Sequence, residues 1–182
     1  TDSKQAYESE MQNKAAALWE KVGLRNHHGI AIPLFSVWTE ESGGIGEYLD
    51  LIPLIDWCQG IGFDVIQLLP LNDIGLGKSP YSAVSAFALN PNHLKLSHLP
   101  GFQKFLPKLQ KGPLIDYFNI YQMKEELLRD YFKKEGQDIL LDPLFSVFKE
   151  RNPWLESYAQ FKALKAPQDK PYYEFVQYLC FQ

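Results

Sequence analysis

The chain has 182 residues, of which 46% are apolar and 22% charged, as in an ordinary globular protein of one domain or slightly more. Its net charge of −4 includes no basic stripe, and no segment approaches the roughly 20 apolar residues of a membrane span, so we expect neither nucleic acid nor a membrane as a partner. The polar N-terminus lacks the apolar region of a signal peptide, and we expect Cys58 and Cys180 to be buried free thiols, which together predict a cytoplasmic protein.

Two helices and two strands are predicted in the first part of the chain. Helical spacing of apolar residues predicts a first helix that ends at Gly23 and a second helix that begins after Asp50, whose carboxylate can cap it. The apolar runs 29–38 and 63–71 predict buried strands before and after the second helix. Such a βαβ unit has parallel strands, which need cover on both faces. The first helix places its apolar residues at Met11, Ala15, Leu18, Trp19 and Val22, and the second at Leu51, Leu54, Ile55 and Cys58.

A loop and a helical region follow. Residues 72–100 are rich in Gly, Ser, Pro and Asn, which predicts a long loop. Four helical patterns come next, and their predicted starts are Asp116, Asp142-Pro143, Asn152-Pro153 and Pro171. The last pattern continues to Gln182 without a stop signal, so we expect a truncated piece that ends inside a helix. We divide the chain into an N-terminal extension at 1–28, a βαβ part with its long loop at 29–100 and a helical insertion at 101–182.

A glycine cluster at 43–46 lies between the first strand and the second helix. A dinucleotide-binding turn of the pattern G-x-G-x-x-G would place its last glycine at position 49, where the chain has Leu49. The Lys-Ser/Thr pair of a phosphate-binding loop is also missing. The cluster therefore predicts a tight turn and not a nucleotide site.

The segment after the second strand carries side chains suited to sugar recognition. Asn72 supplies an amide, Asp73 a carboxylate, and Ser79 and Tyr81 place a hydroxyl and an aromatic ring on either side of the rigid Pro80. An aromatic face packs on the apolar side of a pyranose while polar groups bind its hydroxyls. The carboxyl ends of parallel barrel strands are where sites assemble. The loop is thus a candidate saccharide site, although a polar loop with one tyrosine is also common.

Four stretches occur together in an order and spacing typical of one enzyme family. They are 29–36 (Gly-Ile-Ala-Ile-Pro-Leu-Phe-Ser) with 44–46; 65–71 (Val-Ile-Gln-Leu-Leu-Pro-Leu) leading to Ser79-Pro80-Tyr81, 85–88 and 90–91; 115–117 (Ile-Asp-Tyr); and 154–165. With them the chain resembles the amylomaltases, the 4-α-glucanotransferases also called disproportionating enzymes, over residues 29–182. The block from Leu-Pro-Leu to Ser-Pro-Tyr is the most specific part of this resemblance.

The resemblance implies an α/β fold: the N-terminal portion of a (β/α)8 TIM barrel, with about two parallel strands and a largely helical insertion. It implies a parent enzyme that moves α-1,4-glucan segments between maltooligosaccharides, as in glycogen or maltodextrin metabolism, without cofactor or metal. By the same resemblance Tyr81 stacks on the donor glucose, Ser79 forms a hydrogen bond nearby across Pro80, and Tyr117 borders the glucan groove. Tyr117 is equally well explained as a core-facing ring at a helix start.

The resemblance assigns no catalytic residue to this chain. Such enzymes are similar to retaining glycosidases, in which a nucleophilic carboxylate and an acid/base carboxyl lie about 5 Å apart. Both belong to later barrel strands, so the piece alone is expected to be inactive. Asp64 and Asp73 lie beside strand ends, where a lone acid is more often a cap or a turn former. The family's Tyr-Gly-Asp before Ser-Pro-Tyr is Leu-Gly-Lys at 76–78, which removes a stacking ring and an acid from any second glucan site.

Two other functions remain open at this point. One is a self-sufficient carbohydrate-binding or interaction domain. The predicted βαβ unit argues against it, because its parallel strands need cover on both faces. The other is an α-glucan hydrolase on the same barrel, because Ser-Pro-Tyr with the following Ala-Phe-Ala and Asn-Pro also occurs in related α-amylase-type enzymes. In either case the exposed strand edges predict that the piece self-associates or is partly disordered.

Overall fold

The computed structural model describes residues 5, 8–9, 16–23, 25–109 and 114–182. Within them, a small parallel sheet is followed by a layer of helices. In chain order the elements are α1 (Ala16–Val22), β1 (Gly29–Ile32), α2 (Leu51–Gly60), β2 (Val65–Leu68), α3 (Phe102–Leu109), α4 (Tyr117–Leu141), α5 (Pro143–Arg151), α6 (Trp154–Lys162) and α7 (Lys170–Cys180). One-turn 3-10 helices lie at Leu34–Ser36, Tyr48–Asp50, Pro91–His93 and Pro167–Asp169.

The two strands pair in parallel, as the βαβ pattern predicts. Gly29 lies opposite Val65, and Ile32 lies opposite Leu68. The prediction that the strands are buried is wrong, since exposed and half-buried residues alternate along both, and Val65 is 42% exposed. Among the described residues the sheet has two strands, so neither strand lies between two others and one side of the sheet remains open to solvent.

Helix α1 ends where the sequence predicts but packs less than predicted. Gly23 follows it with a φ of +86°, the left-handed conformation that favours glycine. Leu18 and Val22, both predicted to pack, are 64% and 54% exposed. With seven residues, α1 is too short to bury much surface. The other predicted positions of this face lie outside the described residues or side chains: Met11, Ala15 and Trp19.

Asp50 precedes α2 but does not cap it through its side chain, which corrects the prediction. Its Oδ2 accepts hydrogen bonds from Ser42 Oγ at 2.6 Å and from the Glu47 backbone N–H at 2.8 Å. The two donors flank the glycine-rich turn at 43–46, in which Gly44 has a φ of +83°. The carboxylate therefore fixes this turn. It does not cap α2, because these two donors occupy it.

Helix α3 is an element that the sequence analysis did not predict. It begins after Gly101, which has a φ of +96°, and contains Pro107. Proline lacks an N–H and usually breaks a helix, so its presence masked the pattern. In this short helix Pro107 falls in the last turn, where it removes a single intrahelical hydrogen bond.

The four helices predicted after position 116 all form. Asp116 caps α4 and Asp142 caps α5, since each carboxylate accepts a backbone N–H of the first helical turn, at 3.1 and 2.7 Å. Asn152 does not cap α6 with its side chain, whose amide oxygen accepts the Trp154 indole N–H at 3.0 Å. Helix α7 ends at Cys180, so the prediction that it continues to Gln182 is wrong.

The main hydrophobic core lies among the helices and reaches the glycine-rich turn. A buried ion pair crosses it, in which Lys124 of α4 donates to Glu47 and to the carbonyls of Asn92 and Leu94, at 2.7 and 2.8 Å for the carbonyls. Removing one partner of such a pair costs about 3–5 kcal/mol, so the pair holds α4 against the turn. The buried core residues are Ile45, Leu96, Leu99, Phe102, Ile120, Met123, Leu127, Leu128, Tyr172, Phe175 and Val176.

Candidate functional site

The carboxyl ends of β1 and β2 lead to a small pocket. The start of α4 and the 3-10 turn at Pro91–His93 also contribute to its lining. Its interior holds about 20 Å³, enough for about one water molecule. A sugar ring is too large to enter and can lie only across the opening. The lining includes Phe35, Asn72, Lys78, Pro80, His93 and Tyr117.

Pro80 and Tyr117 are far apart in the sequence but line the same pocket. Tyr117 is the first residue of α4, and its ring meets the Phe35 ring edge-on with 6.4 Å between centroids. Partial burial raises the pKa of Tyr117 further above neutral pH, where any tyrosine hydroxyl is protonated and can donate a hydrogen bond. The ring packs against the core and is also a wall of the pocket.

Ser79 and Tyr81 flank Pro80 in an exposed turn. The backbone N–H of Tyr81 donates to Ser79 Oγ at 3.4 Å, and the Ser82 N–H donates to the Ser79 carbonyl at 3.1 Å. The Tyr81 side chain is left 72% exposed. Pro80 lines the pocket, and its two neighbours in the chain carry a hydroxyl and an exposed ring.

Two pocket residues, Phe35 and His93, were missed by the sequence analysis. Phe35 lies in the 3-10 turn three residues after the end of β1, where the rule that strand carboxyl ends build sites would have found it. His93 follows the Asn90-Pro91 pair in a turn that the Asn90 side chain caps by accepting the Asn92 N–H at 3.0 Å. No local pattern marks this histidine as part of the site.

Asp73 is buried and bound by several donors. Its Oδ1 accepts the Gly75 N–H at 2.8 Å, and its Oδ2 accepts Tyr158 Oη–H at 2.7 Å and Lys162 Nζ–H at 2.9 Å. Three donors leave this carboxylate little freedom to attack or protonate a substrate. The arrangement agrees with the interpretation of Asp73 as a turn former.

Asp64 lies at the amino end of β2, on the edge of the sheet opposite the pocket. It accepts from the backbone N–H of His28 at 3.0 Å and contacts His27 at 2.8 Å and Arg25 at 2.9 Å. The His27 hydrogen bond, with the His28 amide and Arg25, lowers the pKa of Asp64. The Asp64 carboxylate thus joins the segment before β1 to the start of β2.

Metal-binding groups and membrane helices are both absent from the described residues. Within those ranges, no three His, Cys, Asp or Glu side chains form a group that could hold a metal ion. None of the helices there has both the length and the apolar character needed to span a bilayer. Cys58 and Cys180 are free thiols, and burial raises the pKa of the Cys180 thiol.

Comparison with known proteins decides the family. The sequence model of the 4-alpha-glucanotransferases matches residues 32–180, which is most of the chain. The chain belongs to the 4-alpha-glucanotransferase family. The family resemblance found in the sequence is thereby confirmed. The enzyme of Chlamydia caviae is 38% identical over 204 residues, and that of Chlamydia pneumoniae is 44% identical over 163 residues.

The chain spans well under half of these relatives. The two alignments cover 90% and 83% of this chain, but 38% and 31% of the Chlamydia caviae and Chlamydia pneumoniae enzymes. Among solved structures, an amylomaltase from Streptococcus agalactiae in complex with acarbose has a TM-score of 0.73 at 18% identity, over 86% of this chain and 39% of that one. This likeness shows a shared α/β fold with two parallel strands and mostly helices.

Proposed function

We propose that the whole protein is a 4-α-glucanotransferase that moves α-1,4-glucan segments between maltooligosaccharides, and that this chain is its N-terminal part. The family match and the relatives support this activity. We propose that residues 29–100 begin a (β/α)8 barrel, that 101–182 form a helical insertion and that 1–28 precede the barrel. The parallel βαβ unit supports the barrel assignment, since a parallel pair calls for further strands beside it.

The transfer is proposed to proceed with retention. A carboxylate attacks C1 of the donor while an acid/base carboxyl protonates the departing 4-oxygen. The 4-hydroxyl of an acceptor glucan then attacks C1, which breaks the bond between C1 and the enzyme carboxylate, and its proton goes to the acid/base carboxylate. One C1–O4 bond thus replaces another. We assign no catalytic residue to this chain and propose that both carboxyls belong to the rest of the barrel. The position of Asp64 and the three donors on Asp73 support this choice.

The role proposed for this chain is to hold the donor glucan. The Tyr81 ring stacks on a glucose unit, Ser79 forms a hydrogen bond beside it, Pro80 fixes their spacing and Tyr117 borders the groove. The observation that carries this proposal is the pocket lined by both Pro80 and Tyr117, with the exposed Tyr81 directly after Pro80 in the chain. The acarbose complex of the Streptococcus agalactiae amylomaltase supports a glucan-type ligand.

We place this activity in the cytoplasm, in the metabolism of maltodextrin or glycogen. The two cysteines of the chain are free thiols, although one of them is buried and the other half-buried. Free thiols persist in a reducing compartment, which supports this location.

An assay on maltotriose tests the proposed function. The 182-residue chain is compared with the full-length protein, and we expect glucose and longer maltodextrins from the full-length protein only. Products from the short chain would contradict the location of the catalytic carboxyls. Glucose and maltose without longer products from the full-length protein would indicate a hydrolase instead.

Substitution of Tyr81 tests the contact assignment in the full-length protein. We expect Tyr81→Ala to lower kcat/KM on maltotriose by about tenfold or more, because the stacking face is lost. Tyr81→Phe keeps the ring and serves as the matched control, with nearly unchanged activity. Equal rates for Tyr81→Ala and the unsubstituted enzyme would remove Tyr81 from the site.

A further inference from the structure

The loop that carries Ser79 and Tyr81 is held at its neck, by which we mean Asp73, where the loop begins, and residues 88–89, where it ends. Most of residues 74–87 are exposed, so packing fixes little of the loop itself. At the neck, the Asp73 N–H donates to the Ala88 carbonyl at 2.8 Å, and the Val84 N–H donates to the Asp73 carbonyl at 2.7 Å. The course of the loop is therefore set where it begins and ends.

A buried carboxylate joins this neck to the helical layer. Asp73 Oδ2 accepts from Tyr158 and Lys162, both on α6, while Oδ1 accepts from the first turn of the loop at Gly75. The side chains of Asp73 and Lys162 are 3% and 17% exposed. Hydrogen bonds to a charged group are stronger than those between neutral groups, so these contacts hold the base of a loop whose tip is mostly exposed.

A second helix binds the other half of the neck. Gln177 of α7 is fully buried, and its amide oxygen accepts the Leu89 N–H while its amide nitrogen donates to the Leu89 carbonyl, both at 2.9 Å. The same amide nitrogen lies 3.4 Å from the Tyr158 hydroxyl. The Tyr158 hydroxyl thus lies between Asp73 on one side of the neck and Gln177 on the other.

We infer that Lys162 and Tyr158 are positioning residues for the glucan-contacting loop and act on it through Asp73. The helical layer then sets the position of the Tyr81 ring from a distance. Fixing a flexible loop costs conformational entropy, so a loop whose base is already held by α6 loses less of it when a glucan binds. The ligand in this inference rests on the proposed function, whereas the control of the loop by α6 does not.

Hydrogen–deuterium exchange on the full-length protein tests the control of the loop. Lys162→Met leaves the Asp73 carboxylate without its cation, so we expect peptides over 74–88 to exchange about tenfold faster, while peptides of α4 stay unchanged. Tyr158→Phe removes one hydroxyl, keeps the ring and gives a second measurement if Lys162→Met does not fold. Lys162→Arg keeps the charge and should restore the protection.

Lys165→Met is the matched control, because Lys165 is an exposed lysine just after α6. It should leave the loop exchange at the level of the unsubstituted protein. Loop exchange in Lys162→Met equal to that in Lys165→Met would overturn the inference. Equal acceleration in the loop and in α4 would also overturn it, since that marks a general stabilising residue.

Titration of the full-length protein with acarbose separates this inference from the proposed function. We expect Lys162→Met to raise the Kd for acarbose about tenfold and Lys165→Met to leave it unchanged. If the unsubstituted protein does not bind acarbose while its loop exchange responds to Lys162→Met, the assigned glucan contacts fail and the loop control stands. If acarbose binds and neither measurement responds to Lys162→Met, the positioning role fails alone.

Discussion

Burial determines the charge of His93. Its Nδ1 lies 2.7 Å from the Gly46 carbonyl, so Nδ1–H donates to that oxygen, and its ring meets Tyr48 edge-on with 5.7 Å between centroids. Burial lowers the pKa of His93 from 6.5 to about 4. The ring is neutral at pH 7 and joins the glycine-rich turn to the pocket, so it links pH to the stability of the site.

We predict that the free energy of unfolding decreases as the pH falls from 6.5 towards 4, in part because of His93. In this pH range the folded state keeps the ring neutral, whereas the unfolded chain binds a proton there. The stabilisation that neutral His93 provides is therefore complete above pH 6.5 and is lost as the pH falls towards the pKa of the folded state. The loss amounts to about 3 kcal/mol at most. Urea unfolding of the wild type and His93→Gln at neutral pH and near pH 4.5 measures it.

The exposed His98 provides the control for this titration. His98→Gln should show the same loss of stability between the two pH values as the wild type, and His93→Gln a smaller loss. Other groups, such as Asp64 with its lowered pKa, contribute equally to all three proteins and cancel in the comparison. A loss in His93→Gln as large as in the wild type would show that His93 is not the group responsible.

The turn between β1 and α2 has no room for a side chain at Gly46. A Cβ there would lie 1.9 Å from the Leu34 carbonyl oxygen and 2.3 Å from that of Val37. We predict that Gly46→Ala lowers the free energy of unfolding by at least about 2 kcal/mol, because backbone atoms must move. Gly60→Ala is the control, since a Cβ at Gly60 meets nothing within 4 Å, and its effect should stay within about 1 kcal/mol. Similar urea midpoints for the two variants would contradict this account.

Local signals predicted the elements well. The pairing of β1 and β2 followed from two apolar runs joined by a helix, and Asp116 and Asp142 cap helices because capping needs only neighbouring residues. Two of the wrong predictions concern the hydrogen-bond partners of a side chain and the cover of a sheet. Asp50 binds Ser42 and Glu47 in place of the helix, and strand burial depends on elements that the apolar runs do not specify.

The candidate site was predictable only in part. The Ser79-Pro80-Tyr81 turn stood out because its residue types and the family resemblance coincide within one short segment. The hydrogen-bond donors on α6 that hold its loop could not be found in this way. Tyr158 lies 85 positions from Asp73 along the chain, and no periodic pattern joins them. Only folding of the helical layer onto the neck brings them together.

Several large apolar side chains of α2 and β2 remain at the surface of the chain. Ile52 and Ile55 lie one turn apart on α2 and are 56% and 50% exposed, although Ile55 was predicted to pack. Trp57 on the same helix is 54% exposed, and Val65 of β2 is 42% exposed. The chain spans 38% of the Chlamydia caviae enzyme, so we expect further elements to cover this surface in the whole protein.

In the 182-residue chain by itself, we predict that this surface and the strand edges bind a second copy. Sedimentation velocity over a concentration series should show association of the wild type and weaker association of Ile52→Gln/Ile55→Gln. Leu141→Gln/Leu164→Gln changes two leucines that are 79% and 73% exposed on the helical layer, and it should associate like the wild type. A monodisperse wild-type monomer with one sharp thermal transition would mean that the described elements are stable without covering this surface.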